Sequence, residues 1–302
     1  MATTSAAMAG TATALLLLLL PPLTLSTLVS TPPLILQYHH GRLLTGDITL
    51  HLVWYGSFSP SQRAAVSDFL LSLSSPSPSS PPSVSSWWAT TRRYLSSSSS
   101  VSLSGRQLLL PSYPLGRSLP SSSLPALASL AFPSSATAGN IAVVLTSADV
   151  AVYGFCSGRC GTHANLPGGS SFVWVGDSSV QCPGQCAWPF HQPMYGPQTP
   201  PLVPPSGDVG ADGIIINIAT LLAGTVTNPD GKGYFQGPAT APLEAVSACT
   251  GIFGSGAYPG FPGNVLVDPT TGASYNARGV NGREFLLPAM WDPKTSQCAT
   301  LV

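Results

Sequence analysis

Four of the six cysteines fall in two C-x-x-x-C pairs, Cys156/Cys160 and Cys182/Cys186. Between the pairs lie His163, the alternating stretch Phe172-Val173-Trp174-Val175-Gly176, and Asp177. Joined as disulfides, these cysteines staple a lobe and place the chain in an oxidising compartment; as thiolates around zinc, they make an intracellular metal module. The N-terminal segment decides between the two. No Lys, Arg, Asp or Glu precedes Arg42, and the leucine run Leu15–Leu20 leads into Pro21-Pro22. That run is the hydrophobic region of a secretory signal, too short and too broken for a spanning helix of ~20 residues. Residues 1–30 are therefore read as a signal peptide, with Ser26 and Ser30 as cleavage candidates, and residues 31–302 as one domain. In that compartment an even set of cysteines reads as disulfides. The four clustered cysteines are expected to pair among themselves, and Cys249 to join Cys298. Zinc sites also favour the shorter C-x-x-C spacing.

Charge is sparse and balanced, with eleven basic and eleven acidic residues in 302. No basic stripe is available for nucleic acid, so none is expected as a partner. The mature chain is expected to have no membrane span, and no motif calls for a cofactor. No N-x-[ST] sequon occurs.

Periodicity supplies the elements. Ile48, Leu50, Leu52 and Trp54 alternate with Thr49, His51, Val53 and Tyr55, which predicts a strand. Ser59-Pro60-Ser61-Gln62 has an N-cap, a Pro at the first helical position and a capping-box Gln, and starts a helix over residues 60–73. Residues 74–82 read as a Ser/Pro linker, residues 84–95 as a second helix and residues 96–100 as a loop. A strand is expected near residues 107–110 and a short helix near 124–130. Ile141–Leu145 is a buried strand, and Phe172–Val175 alternates like another. Asp212 reads as the N-cap of a helix over residues 213–227 that is apolar around most of its circumference and hence buried. Its remaining face, Asn217, Thr220, Gly224 and Thr227, is small and polar. The fold class is α/β or α+β: one mixed central sheet flanked by helices, plus the stapled lobe.

No catalytic constellation is complete. His163 and His191 flank the lobe and are read first as hydrogen-bonded structural histidines, since no carboxylate motif accompanies either. His51 is read the same way. Gly254-Ser255-Gly256 lacks the strand–turn–helix context of a nucleophile elbow. Spacing selects no carboxylate pair from Glu244, Glu284 and nine Asp. The lobe, with His163, Trp174, Asp177, Trp188 and His191, is the candidate binding surface, its aromatics being suited to stacking on sugars or receiving a protein, although buried packing is the commoner role for each.

Several longer strings resemble one family. Tyr38-His39-His40-Gly41, Cys160-Gly161-Thr162-His163-Ala164, Cys182-Pro183-Gly184-Gln185-Cys186-Ala187-Trp188-Pro189-Phe190, Gly210-Ala211-Asp212-Gly213, Thr227-Asn228-Pro229 and Tyr234-Phe235-Gln236-Gly237 are similar to the plant EXORDIUM / phosphate-induced protein 1 family. The resemblance runs over about residues 34–302. It implies a secreted apoplastic or cell-wall protein tied to growth, brassinosteroid response and carbon status, with no established catalytic activity. A wall polysaccharide or an apoplastic protein is the implied partner. Distant microbial relatives carry an H-E-x-x-E-type helix before a Thr-Asn/Asp-Pro end. Aligned on Thr227-Asn228-Pro229, its three functional positions fall on Thr220, Leu221 and Gly224, none of which ligates zinc or acts as a base. This implies a zincin-like core with a dead site, in which Asn217, Thr220 and Gly224 line a vestigial pocket. Close packing of small residues against a neighbouring element explains the same face equally well.

Overall fold

Burial on both faces makes the central sheet the organiser of the molecule. A computed structural model of the chain describes residues 33–75, 81–95, 99–132, 137–192 and 199–302. Leu34–Val302 is one compact unit. The proposed signal segment, most of the Ser/Pro linker and the start of the 96–100 loop lie outside the described residues.

The first long strand, β1 (Gly46–Tyr55), leads through Gly56 into helix α1 (Pro60–Ser72). Ser59 caps α1: its Oγ accepts from the Gln62 N–H at 3.1 Å, while Gln62 Oε1 accepts from the Ser59 N–H at 2.9 Å. Helix α2 (Val84–Trp88) is shorter than the expected 84–95, and a separate 3-10 turn covers Thr91–Arg93. The break has a local cause, since Thr91 Oγ1 donates to the Trp88 carbonyl at 2.6 Å. Anchors on either side hold it: Trp87 Nε1 donates to the Pro288 carbonyl and Tyr94 Oη to the Trp291 carbonyl. Strand β2 (Ser99–Leu103) begins inside what the sequence presents as a loop. Serine is a poor strand former, but parallel pairing of Ser99–Leu103 with Gly46–Leu50 overrides that preference.

Strand β3 (Leu108–Leu110), helix α3 (Leu124–Ser129) and strand β4 (Asn140–Thr146) follow. Then come β5 (Gly161–Asn165), β6 (Ser171–Gly176), the single-turn α4 (Pro183–Cys186) and the long α5 (Val209–Thr227). The sheet order is β2-β1-β4-β6-β5, with β3 pairing β1 beyond β2. All pairings are parallel except β5 with β6, which makes β5 an antiparallel edge. The architecture is a mixed α/β sheet with helices and disulfides, as the sequence suggests.

One face buries Leu50, Leu52, Trp54, Val143, Val173 and Val175 under α1, α2 and α5. The other buries Tyr55, Val144, Phe172 and Trp174 under α3 and the cysteine lobe. Among the described residues α5 alone is long and apolar enough to cross a membrane, with a mean hydropathy of 1.7 over an 18-residue window. Here it is the core helix, with Ile214, Ile215, Ile218, Leu222 and Val226 buried against the sheet. It begins earlier than expected. Asp208 is the N-cap, accepting from the Ala211 N–H at 3.0 Å, and Asp212 is a buried residue of the first turn. Gly210 and Gly213 disguise that turn, because glycine weakens a helical pattern.

The cysteines pair as Cys156–Cys182, Cys160–Cys186 and Cys249–Cys298, with Cα separations of 5.8, 5.4 and 5.6 Å. The clustered four thus bridge across the two C-x-x-x-C pairs and not within them. Removing the Cys249–Cys298 link, which spans 49 residues, as a Cys249→Ala/Cys298→Ala variant should lower stability by about 4 kcal/mol on the loop-entropy scale. Urea unfolding of the two proteins measures the difference.

Candidate functional site

His163 sits in the middle of β5, opposite Val173 of β6. Side chains alternate along a strand, so His163 shares the face of Gly161, which meets α5: a Cβ on Gly161 would lie 2.6 Å from Leu221 Cδ1. On that face His163 Nε2 donates to the Glu244 carboxylate, at 2.9 Å from Oε2 and 3.1 Å from Oε1. Asn228, just past the end of α5, donates from Nδ2 to Glu244 Oε1 at 2.7 Å, and its Oδ1 accepts from the Gly233 N–H at 2.7 Å. The His163 and Glu244 side chains are only 13% and 11% exposed. Gly224 leaves the space they fill, since a Cβ there would stand 2.4 Å from Glu244 Oε2 and 3.1 Å from His163 Nε2.

Asparagine and histidine donors together satisfy a carboxylate that would be costly to bury alone. The geometry does not make a nucleophile-activating dyad. Such a histidine offers its second ring nitrogen to a hydroxyl or thiol, whereas His163 Nδ1 is buried with no hydrogen-bond partner among the described residues. The arrangement is chemically a tie: it joins the edge strand, the C-terminal end of α5 and the segment that follows.

A second, more exposed cluster continues from it. Arg42 grips Asp230 with Nε and Nη2, at 3.2 and 3.0 Å, and Asn165 of β5 bonds to both. Hydrogen bonding from Arg42 holds the Asp230 carboxyl below its usual range.

The remaining predicted lobe residues do not share a surface with His163. Trp174 is a core residue, 1% exposed, with its Nε1 donating to Thr146 Oγ1 at 3.1 Å. This corrects its assignment to a binding surface: the alternation that marks a strand also marks a face, and both faces of this sheet are covered. Asp177 is buried too, accepting from the Ser179 N–H at 2.9 Å, and burial raises its carboxyl. It lies against the first turn of α5, where a Cβ on Gly210 would be 2.5 Å from its Oδ1. Trp188 is half-buried and packs edge-on against Phe253 at 6.0 Å. His191 lies over Gly184 of α4, so it does not converge with His163. His51 is buried and bonded to Asn140 Oδ1 at 2.9 Å.

The small polar face of α5 is a packing seam. Asn217 Nδ2 reaches the Cys186 and Gly213 carbonyls, both at 2.7 Å, and Thr220 Oγ1 donates to the Ile216 carbonyl. Gly213 lies against Ala187, so the seam also receives the end of the stapled lobe. Of the three positions set against the microbial helix pattern, Leu221 touches Gly161 and Gly224 receives the His163–Glu244 pair. Among the described residues no three His, Cys, Asp or Glu side chains converge as a metal site would require. Glu244 and Asn228 were missed from sequence because 81 and 65 residues separate them from His163. The one available signal was Gly224, a vacancy on a helix face with nothing in the local pattern to fill it.

The model of the phosphate-induced protein 1 conserved region matches residues 36–301, nearly all of the described chain. The chain belongs to the phosphate-induced protein 1 family. Protein EXORDIUM-like 2 of Arabidopsis thaliana is 58% identical to it, over 92% of this chain and 93% of that protein. Protein PHOSPHATE-INDUCED 1 of Nicotiana tabacum is 56% identical over 89% and 88%, and Protein EXORDIUM of Arabidopsis thaliana 55% over 89% and 90%. No solved structure matches this family member, so the zincin-like expectation has no structural counterpart.

The seam predicts its own sensitivity. Gly224→Ala should cost about 1–3 kcal/mol by forcing the helix off the His163–Glu244 pair, whereas Ala in an open helix position would stabilise. Thermal unfolding reads the sign directly.

Proposed function

We propose that this chain is exported through residues 1–30 and acts, as the single domain 31–302, in the apoplast or cell wall as a non-enzymatic regulator of plant growth, linked to brassinosteroid response and carbon status. Its work is binding, to a wall polysaccharide or an apoplastic protein. The observation that carries this reading is the closed His163–Glu244–Asn228 tie, which engages Nε2 of the best-placed histidine and leaves its Nδ1 buried, away from any hydroxyl or thiol among the described residues. Three disulfides support the extracellular assignment, since such bonds persist in oxidising compartments. Relatives named EXORDIUM and PHOSPHATE-INDUCED 1 support the link to plants. On this reading the former ligand positions Thr220, Leu221 and Gly224 of α5 have been turned over to packing.

A second reading, an extracellular hydrolase of wall carbohydrate or peptide, draws on the same pairing of an imidazole with a carboxylate. Two measurements separate them. Chain produced in plant suspension cells should appear in the medium or wall fraction, starting after residue 26 or 30, with its thiols unreactive until reduced. Retention inside the cells would overturn the export reading. On an array of wall polysaccharides the purified protein should bind without releasing reducing ends. Release of sugar or peptide that His163→Ala abolishes, with the fold intact by circular dichroism, would establish the hydrolase instead.

A further inference from the structure

At the opposite end of α5 from the His163 tie, about 24 Å along the helix axis, lies a cavity of about 380 Å³. Its size falls in the range of roughly 300–1,000 Å³ found for small-molecule sites. Phe285, 1% exposed, and Asp212, 3% exposed, both line it. Ser206, Asp268, Arg283 and Glu284 line the rest of the part that matters here.

Asp212 is the unusual group. Because Asp208 caps the helix, Asp212 falls in the first turn and faces the preceding loop. Its Oδ2 accepts from the Ser206 N–H and Oγ–H, both at 2.8 Å. Its Oδ1 accepts no hydrogen bond among the described residues, and it is not sealed away from the cavity that Asp212 lines. A buried carboxylate with one bare oxygen is costly unless a cation reaches it, and among the described residues the guanidinium that acts on Asp212, that of Arg283 across the cleft, is also held by Asp68. Arg278 sits 3.7 Å from Glu284. Asp212, Asp268, Glu284 and Asp68 thus face two guanidiniums, leaving acid in excess by two. A metal ion lacks its donor set, since no three suitable side chains converge among the described residues.

We propose that this cleft binds a small ligand through a primary ammonium or guanidinium group seated on Asp212 Oδ1, with Asp268 and Glu284 supplying a negative mouth. The ligand is either a free diamine-type molecule or the basic side chain of a peptide. The site goes beyond the wall-resident role and holds wherever the chain acts. Burial pushes the Asp212 carboxyl up to about 7. Asp208 at the helix cap adds to that rise, and Arg283 across the cleft opposes it. Asp268 and Glu284 also line the cleft, and Asp177 abuts Gly210 one turn away. A cation needs the ionised form, so affinity should fall as pH drops through this point, by roughly tenfold for each unit well below it.

The test titrates the secreted, disulfide-bonded chain with putrescine by calorimetry at pH 8 and pH 5.5. Saturable binding is expected, at least tenfold tighter at pH 8 and at least tenfold weaker in Asp212→Asn. Asp268→Asn should weaken it a few-fold through the field alone, and this variant decides the matter where Asp212→Asn fails to fold. N-acetyl-lysine-N-methylamide binding more tightly than putrescine supports the site with a peptide as its source; the reverse supports a free amine. Equal binding of 1,4-butanediol overturns the proposal in favour of a neutral polyol site. Absence of saturable binding by both amines at pH 8 overturns it outright, and so does unchanged putrescine binding in a folded Asp212→Asn.

Discussion

The arrangement of this molecule depends on how closely α5 approaches its neighbours. Gly210, Gly213 and Gly224 each meet an atom within 3 Å of where a Cβ would stand: Asp177, Ala187 and Glu244 in turn. Helix interiors disfavour glycine by about 1 kcal/mol each, so three in one helix are a local cost that only tertiary contact repays. The contact is the burial of the isoleucine- and leucine-rich side of α5 on the sheet, together with a seam where polar groups of the lobe and the His163–Glu244 pair meet bare backbone. The edge strand, the lobe and the segment after α5 all take their position from that seam.

Much of the fold was legible because it rests on local signals. Ser59 through Gln62 spelled out the start of α1, and the alternation of Ile48 through Tyr55 spelled out β1. That the clustered cysteines bond among themselves followed from compartment and proximity, whereas which cysteine joins which, Cys156 to Cys182 and Cys160 to Cys186, needed the fold. The errors are as instructive. Ser99 and Ser100 became strand because a parallel neighbour imposed it, and the helix start moved to Asp208 because glycine hides a first turn. Trp174 was offered as a surface group because alternation locates a strand without saying whether both of its faces are covered.

The candidate site was the least legible part, for a reason of distance along the chain. His163 and Gly224 were each singled out, one as a chemical group and one as a vacancy. Neither observation implied the other, because Glu244, which occupies the vacancy and binds the histidine, has no motif around it. The Asp212 cleft was concealed differently. Sequence made Asp212 a cap, and a cap is expected to spend its oxygens on backbone N–H groups. With Asp208 in that role, Asp212 became available for something else.

The apolar character of α5 bears on how such a chain is made. To a translocation channel, a 19-residue segment whose mean hydropathy reaches 1.7 over an 18-residue window resembles a stop-transfer sequence, one that moves sideways into lipid. Asp208, Asp212 and Asn217 work against this in its first half, since acidic and amide groups partition poorly into hydrocarbon. Two of these, Asp212 of the cleft and Asn217 of the seam, thus lower the affinity of the core helix for lipid while serving the folded protein.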